Sequence, residues 1–250
     1  MLDDLQHAGG LVDLHCHVLP ALDDGAADLA DSLAMAREAA ADGVAVICAT
    51  PHIRDDHDVL IHELPERVAA LNAALRAEGI PVIVERGGEV AAPLAPRLTD
   101  AELAGVTLGG GEWILLEPAA GPMDDALQAE VDALHARGLR CLIAHPERHA
   151  GGDAGERLHA LVNSGALVQV TAALLVGHPA APTMLHWATQ GLVHVVGSDA
   201  HSAQFGRPAT VAEGLAELAT VPEVLPHLEW MARTAPQAIL SGVPLTSPFT

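Results

Sequence analysis

The chain has 250 residues, half of them hydrophobic, and a formal net charge of −21 against twelve basic residues, all arginine. So acidic a surface excludes nucleic-acid binding and docking to anionic lipid, both of which need many cationic contacts, and no run of about 18 or more uncharged apolar residues offers a membrane span. Three cysteines cannot frame a disulfide scaffold in this length, and Met1-Leu2-Asp3-Asp4 lacks the basic start of a signal peptide; both features place the expected compartment in the cytoplasm.

The first apolar segment, 10–14, leads into Asp13-Leu14-His15-Cys16-His17. On a strand, residues two apart share a face, so His15 and His17 point one way at the strand's end and Cys16 the other. Over 28–41, Leu29, Leu33, Ala36 and Ala40 recur at helical spacing and Gly43 closes the helix. The second strand, 44–49, runs into Thr50-Pro51-His52. A helix over 62–78 carries Leu64, Val68, Leu71 and Leu75 on one face, and a third strand, 81–85, precedes Gly87-Gly88-Glu89. The fourth strand, 113–117, ends in Glu117 and is followed by a helix over 124–137. The fifth, 139–144, opens into Ala144-His145-Pro146-Glu147-Arg148, and a helix spans 155–163. The sixth, 166–170, ends near Thr171 with no ligand-type side chain; a helix covers 179–190. The seventh, 192–197, runs into Ser198-Asp199-Ala200-His201, and helices over 211–219 and 227–240 follow.

Continuous apolar runs are the mark of strands buried on both faces of a parallel sheet. Their alternation with helices predicts right-handed crossovers. No linker, low-complexity segment or fixed-period repeat divides the chain, so residues 1–250 read as one α/β domain with a core over about 10–245. No glycine-rich nucleotide loop follows the first strand, which favours a barrel over an open doubly wound sheet.

In α/β barrels functional groups collect at the C-terminal strand ends. His15, His17, Asp24, His52, Glu89, Glu117, His145, Asp199 and His201 all fall there. Burying so many acids and imidazoles without a compensating charge is expensive. Nine are too many for one ion, so the set points to two or three metals bound through oxygen and nitrogen donors, which suit manganese, iron or zinc. His57, His62, His135, His159, His178, His186 and His227 read as surface residues, His7 and His194 as structural, and His149 is left open. Cys48 and Arg54 match the spacing of a cysteine-phosphatase loop. Pro51 removes a phosphate-binding N–H from that loop, which also lacks glycine, and Cys48 lies within an apolar strand.

These motifs resemble the polymerase and histidinol phosphatase (PHP) superfamily. Asp13-Leu14-His15-Cys16-His17-Val18-Leu19-Pro20 with Asp23-Asp24-Gly25-Ala26 resembles its CpsB/CapC branch of bacterial protein-tyrosine phosphatases, as do Ala49-Thr50-Pro51-His52, Ala144-His145-Pro146-Glu147-Arg148 and Ser198-Asp199-Ala200-His201. The resemblance implies a distorted (β/α)7 TIM-like barrel of the PHP fold with three divalent ions, commonly manganese. It assigns His15, His17, Glu89 and Asp199 to the first ion, Glu89, Glu117 and His145 to the second, and Asp24, His52 and His201 to the third. Glu85 is a rival to Glu89. Arg148 and Arg207 match positions thought to be catalytic. The implied reaction is hydrolysis of protein phosphotyrosine by a metal-bridging hydroxide, on a bacterial tyrosine kinase that controls capsule or exopolysaccharide synthesis. The alternatives are a small-molecule phosphomonoesterase, such as histidinol-phosphate phosphatase, and a non-catalytic metal-bound scaffold.

Overall fold

The computed structural model describes residues 10–149 and 151–249; His7 lies outside them. Among the described residues nine strands, all paired in parallel, occupy seven positions, because two positions are interrupted. β1 (Leu11–Cys16) pairs with β2 (Val44–Ala49), and β2 with β4 (Ile83–Arg86). Beyond Thr50-Pro51 the second position resumes as β3 (His52–Ile53). Beyond Gly87-Gly88 the third resumes as β5 (Glu89–Ala91). The second sheet then runs β3-β5-β6-β7-β8-β9, with β6 Trp113–Glu117, β7 Arg140–Ile143, β8 Leu167–Thr171 and β9 Val195–Gly197. Proline supplies no ladder donor and glycine weakens a strand, so both breaks follow from the sequence. Each restarts the chain at a polar residue, His52 and Glu89.

The ends of the array meet at the mouth. Asp199 donates its backbone N–H to His15 O at 2.7 Å, and His17 donates to Ala200 O at 2.9 Å. Val12, Leu14, Cys48, Leu115, Leu142 and Val195 form an inner cluster with Trp113, while Leu11, Cys16 and the neighbouring strand residues pack outward against the helices. The register of β1 shifts between Asp13 and Cys16. This bulge carries His15 into the mouth although Leu14 already faces inward; such an extra residue re-aims side chains beside sites. Asp13 fixes it, accepting at Oδ1 from the N–H groups of His15 (3.1 Å) and Ser198 (3.0 Å).

The helices are α1 (Leu29–Ala41), α2 (Leu64–Ala77), α3 (Asp100–Val106), α4 (Asp125–Ala136), α5 (Ala154–Asn163), α6 (Ala172–Leu175), α7 (Ala181–Thr189), α8 (Ala212–Leu218) and α9 (Ala235–Ser241). Three regions differ from expectation. α3 and the single turn α6 fall where no helix is predicted; Thr99 and Glu102 cap α3 reciprocally. The helix predicted over 227–240 is instead a π turn, Trp230–Thr234, leading into α9. Pro236 offers no N–H to the turn before it, which widens.

Candidate metal centre

His15 lies in β1 and His17 just past its end, each with its Nδ1 already engaged. His15 Nδ1 lies 2.9 Å from Gln169 Oε1, an acceptor, and His17 Nδ1 lies 2.8 Å from Asp23 Oδ2. Both Nδ1 atoms therefore donate, which leaves the two Nε2 atoms as the ones able to bind a metal. Those two nitrogens face each other at 3.3 Å, fully buried. Burial lowers the His17 pKa, but Asp23 and Glu89 outweigh it and raise it to about 9, so the space between the rings favours a positive charge, a proton or a metal ion.

Glu89 sits at the centre. Oε1 is 2.7 Å from His145 Nε2 and 3.3 Å from His15 Nε2; Oε2 is 2.8 Å from His52 Nδ1 and 3.4 Å from His17 Nε2. Burial pushes its pKa up, but His15, His145 and His17 outweigh burial and hold it well below the usual carboxylate range. Its rival Glu85 is exposed on β4.

Asp199 Oδ1 lies 3.5 Å from His15 Nε2 and 3.6 Å from His17 Nε2. Asp24 Oδ1 is 3.3 Å from His52 Nε2 and 3.5 Å from His201 Nε2, at the open rim. Glu117, ending β6, is 4.0 Å from His145 Nε2, and burial and the charge of Glu89 push its pKa up. Burial pushes His145 down to about 3 and His201 to about 2, so both stay neutral, as ligands must. His145 (φ 29°) and Asp199 (φ 51°) hold left-handed backbone without being glycine, the kind of strain that clusters at functional sites.

The structure thus brings all nine predicted residues to one mouth, together with both arginines. Arg148 meets Asp199 Oδ2. Arg207 Nη2 is 3.2 Å from the same oxygen, and its Nε donates to Asp199 O at 2.8 Å. Donor atoms group within 4.8 Å as His15/His17/Asp199, His15/Glu89/His145, His52/Glu89/Glu117 and His17/Asp24/His52/His201. Asp199 Oδ1 is buried with no hydrogen-bond partner. Glu89 Oε2 and His52 Nδ1 sit close but without the alignment of a hydrogen bond. Oxygen and imidazole lone pairs converging on shared space fit divalent cations.

The mouth also holds residues the sequence reading passed over. Gln169, inside the sixth strand position, orients His15, and Asp23, beside Asp24, orients His17. His57, expected at the surface, stacks on the His52 ring at 5.2 Å. His149 joins Glu117 and His145 in a further donor group. His194, by contrast, is structural as expected, accepting from Val168 N–H at 3.2 Å on the far side of the barrel. The cysteine-phosphatase reading fails. Cys48 is fully buried, its thiol directed at Arg86 O and pushed far up by burial, and Arg54 pairs with Asp56.

A seven-position parallel barrel with imidazoles, carboxylates and paired arginines at its mouth defines a metal-dependent hydrolase of the PHP type. A family model for capsular polysaccharide synthesis, CpsB/CapC, matches residues 11–220, and the chain belongs to that family. Tyrosine-protein phosphatase YwqE of Bacillus subtilis is 34% identical over 206 residues, covering 77% of this chain and 78% of that protein. Tyrosine-protein phosphatase CpsB of Streptococcus agalactiae is 24% identical over 221 residues, covering 81% and 87%. A solved structure from work on YwqE from Bacillus subtilis and CpsB from Streptococcus pneumoniae, described as unique metal-dependent tyrosine phosphatases, superposes with a TM-score of 0.82 at 29% identity. It covers 96% of this chain and 98% of that one. Dihydropyrimidinase from Brevibacillus agri, with a TM-score of 0.55 and 13% identity over 97% of this chain and 73% of that one, shares the fold alone.

Proposed function

We propose that this chain is a metal-dependent protein-tyrosine phosphatase that binds three divalent ions at the mouth. The first is held by His15, His17, Glu89 and Asp199, the second by Glu89, Glu117 and His145, and the third by Asp24, His52 and His201. The observation that carries the reading is the convergence of the His15 and His17 Nε2 atoms, 3.3 Å apart with both Nδ1 atoms engaged elsewhere, on the Glu89 carboxylate. The donor set holds no thiolate and suits manganese, with iron or zinc as competitors.

Bound ions supply an acidified water and positive charge for the phosphoryl oxygens. The chain supplies the rest. Glu89 reaches four imidazoles and holds the donors in register. Arg148 and Arg207, both in contact with Asp199, present guanidinium forks suited to phosphoryl oxygens. A tyrosyl oxygen is a better leaving group than an alkyl alcohol, so little protonation is required of the protein. The substrate is a phosphotyrosine segment of a bacterial tyrosine kinase that controls capsule or exopolysaccharide synthesis. The setting is the cytoplasm, where three free, buried cysteines stay reduced. Among the described residues no helix is long and apolar enough to cross a membrane.

The test is kcat/KM of the manganese-loaded protein on a phosphotyrosyl peptide, a phosphoseryl peptide and histidinol phosphate, with and without chelator and vanadate. The reading expects preference for the phosphotyrosyl peptide, loss of turnover with chelator and little effect of vanadate. Turnover that survives chelation and is blocked by vanadate overturns it.

A further inference from the structure

We propose that His149 is a fourth protein ligand to the ion assigned to Glu89, Glu117 and His145. The inference rests on the metal-centre reading above and adds a residue to it.

The short 3₁₀ turn Pro146–Arg148 follows the left-handed His145 and returns the chain so that His149 N–H donates to Pro146 O at 3.0 Å. The loop after β6 then grips His149 twice. Met123 N–H donates to His149 O at 3.2 Å, and the ring Nδ1 lies 3.1 Å from Gly121 O. A carbonyl can only accept, so Nδ1 carries the proton and Nε2 a lone pair. That Nε2 is buried and has no hydrogen-bond partner; the residue is 8% exposed. A buried acceptor left empty is costly.

The ring lies beside other ligand-type groups. Donor atoms of Glu117, His145 and His149 lie within 4.8 Å of one another, and the His149 ring stacks at 25° on His145, centroids 5.8 Å apart. The nearest arginine in sequence, Arg148, is committed to Asp199. An imidazole whose Nδ1 donates to a backbone carbonyl, whose Nε2 is buried without a partner, and which offers a donor atom within 4.8 Å of those of a carboxylate and a second imidazole has the arrangement of a metal-ligating histidine. A cation is the partner that satisfies all three groups. With His149 the set becomes two carboxylates and two imidazoles. The added nitrogen donor shifts the preference of this position toward zinc or iron over manganese.

The experiment uses the full chain, stripped with chelator and re-titrated with Zn2+ or Mn2+ against a chromophoric chelator, with ions per chain counted after dialysis. His149→Phe keeps the ring volume and removes the donor. The expected result is that one ion binds at least about tenfold more weakly, with a larger loss for Zn2+ than for Mn2+, while the remaining ions keep their affinities. Affinities and stoichiometry unchanged by His149→Phe overturn the inference alone; a wild-type chain that binds no ion overturns the reading of the whole centre. A check that needs no variant to fold is ring-nitrogen NMR of the wild-type chain during Zn2+ addition. His149 Nε2 moves from a free-imine to a metal-bound shift if it ligates, and its staying at the free-imine position counts against the proposal.

Discussion

Asp23 Oδ2 accepts from His17 Nδ1 at 2.8 Å and from the backbone N–H of His52 at 2.9 Å, while its Oδ1 accepts from Gly25 N–H at 2.9 Å. One carboxylate therefore orients the histidine just past β1 and the restart of the second strand as β3. Its charge is kept because His17 and these N–H donors outweigh burial and hold the acid far below the usual range. Asp23→Asn replaces one accepting oxygen by an NH2 group, which must oppose either Gly25 N–H or the His17/His52 pair. Removing such a support costs about 10- to 100-fold in metal affinity or activity. Metal titration of the variant alongside phosphotyrosyl peptide turnover checks this; an unchanged ion affinity contradicts it.

Stripping the ions leaves the Glu89 and Asp199 carboxylates offset by a proton on His17 and by the two arginines at Asp199 Oδ2, and leaves Asp199 Oδ1 without a hydrogen-bond partner, in a buried mouth. At ions about 100-fold above their dissociation constant, each site stabilises the folded chain by about 2.7 kcal/mol. At roughly 2–4 °C per kcal/mol for a chain of this size, chelation lowers Tm by about 5–10 °C per site vacated. Thermal unfolding with chelator, then with Mn2+ restored, measures it. A transition that does not move in either step is inconsistent with metal held at this mouth.

Most of the barrel was legible because most strands are apolar runs and most of the ligand-type residues follow one directly. The remainder hides for identifiable reasons. β3 and β5 are too short for periodicity to register, and only Pro51 and Gly87-Gly88 mark where the positions break. Adjacent carboxylates Asp23 and Asp24 look alike in sequence; only the structure shows one buried as a support and the other, 62% exposed in its side chain, at the rim. Gln169 left a signal, a lone amide inside Leu167-Val168-Gln169-Val170, because a buried amide in such a strand needs a polar partner and finds His15. The capping box of Thr99 and Glu102 was equally readable and announces α3. The bulge in β1, by contrast, depends on Asp13 meeting Ser198 from the far end of the chain, and no local pattern reveals it.

Arg207 spans two groups of the mouth, donating through Nε to Asp199 O at 2.8 Å while Nη2 lies 3.2 Å from Asp199 Oδ2. Lysine keeps the charge but has no planar fork, so it cannot hold the Asp199 carbonyl and a phosphoryl oxygen together. Arg207→Lys is expected to lower kcat by about 100-fold, the scale of losing one preorganised donor to the transition state. Metal content stays unchanged, since no ion is assigned to this side chain. Rapid turnover by the variant, or loss of an ion from it, argues against a substrate-facing role.

His194 sets an acid limit on stability that is separate from the mouth. Its Nδ1 accepts from Val168 N–H at 3.2 Å, its own N–H donates to Val168 O at 2.9 Å, and its ring packs edge-on to Phe249. The cavity beside it is lined by Arg140, which pairs with Glu112, and no carboxylate is among the residues lining it. Burial lowers its pKa to about 4, from an ordinary value of 6.5, and protonating Nδ1 would set it against the Val168 donor. Below pH 6.5 the unfolded chain takes up a proton that the folded chain refuses, so stability falls as pH drops, until the folded chain also protonates near pH 4. The slope is about 1.4 kcal/mol per pH unit, or roughly 3 kcal/mol across the window, and this contribution is absent above pH 7. His194→Gln retains an acceptor for Val168 N–H and cannot titrate. Urea unfolding of both proteins at matched metal occupancy between pH 4 and 7 isolates the difference. The variant is expected to lose less stability than the wild type on acidification, and parallel profiles would show that His194 is not the group responsible.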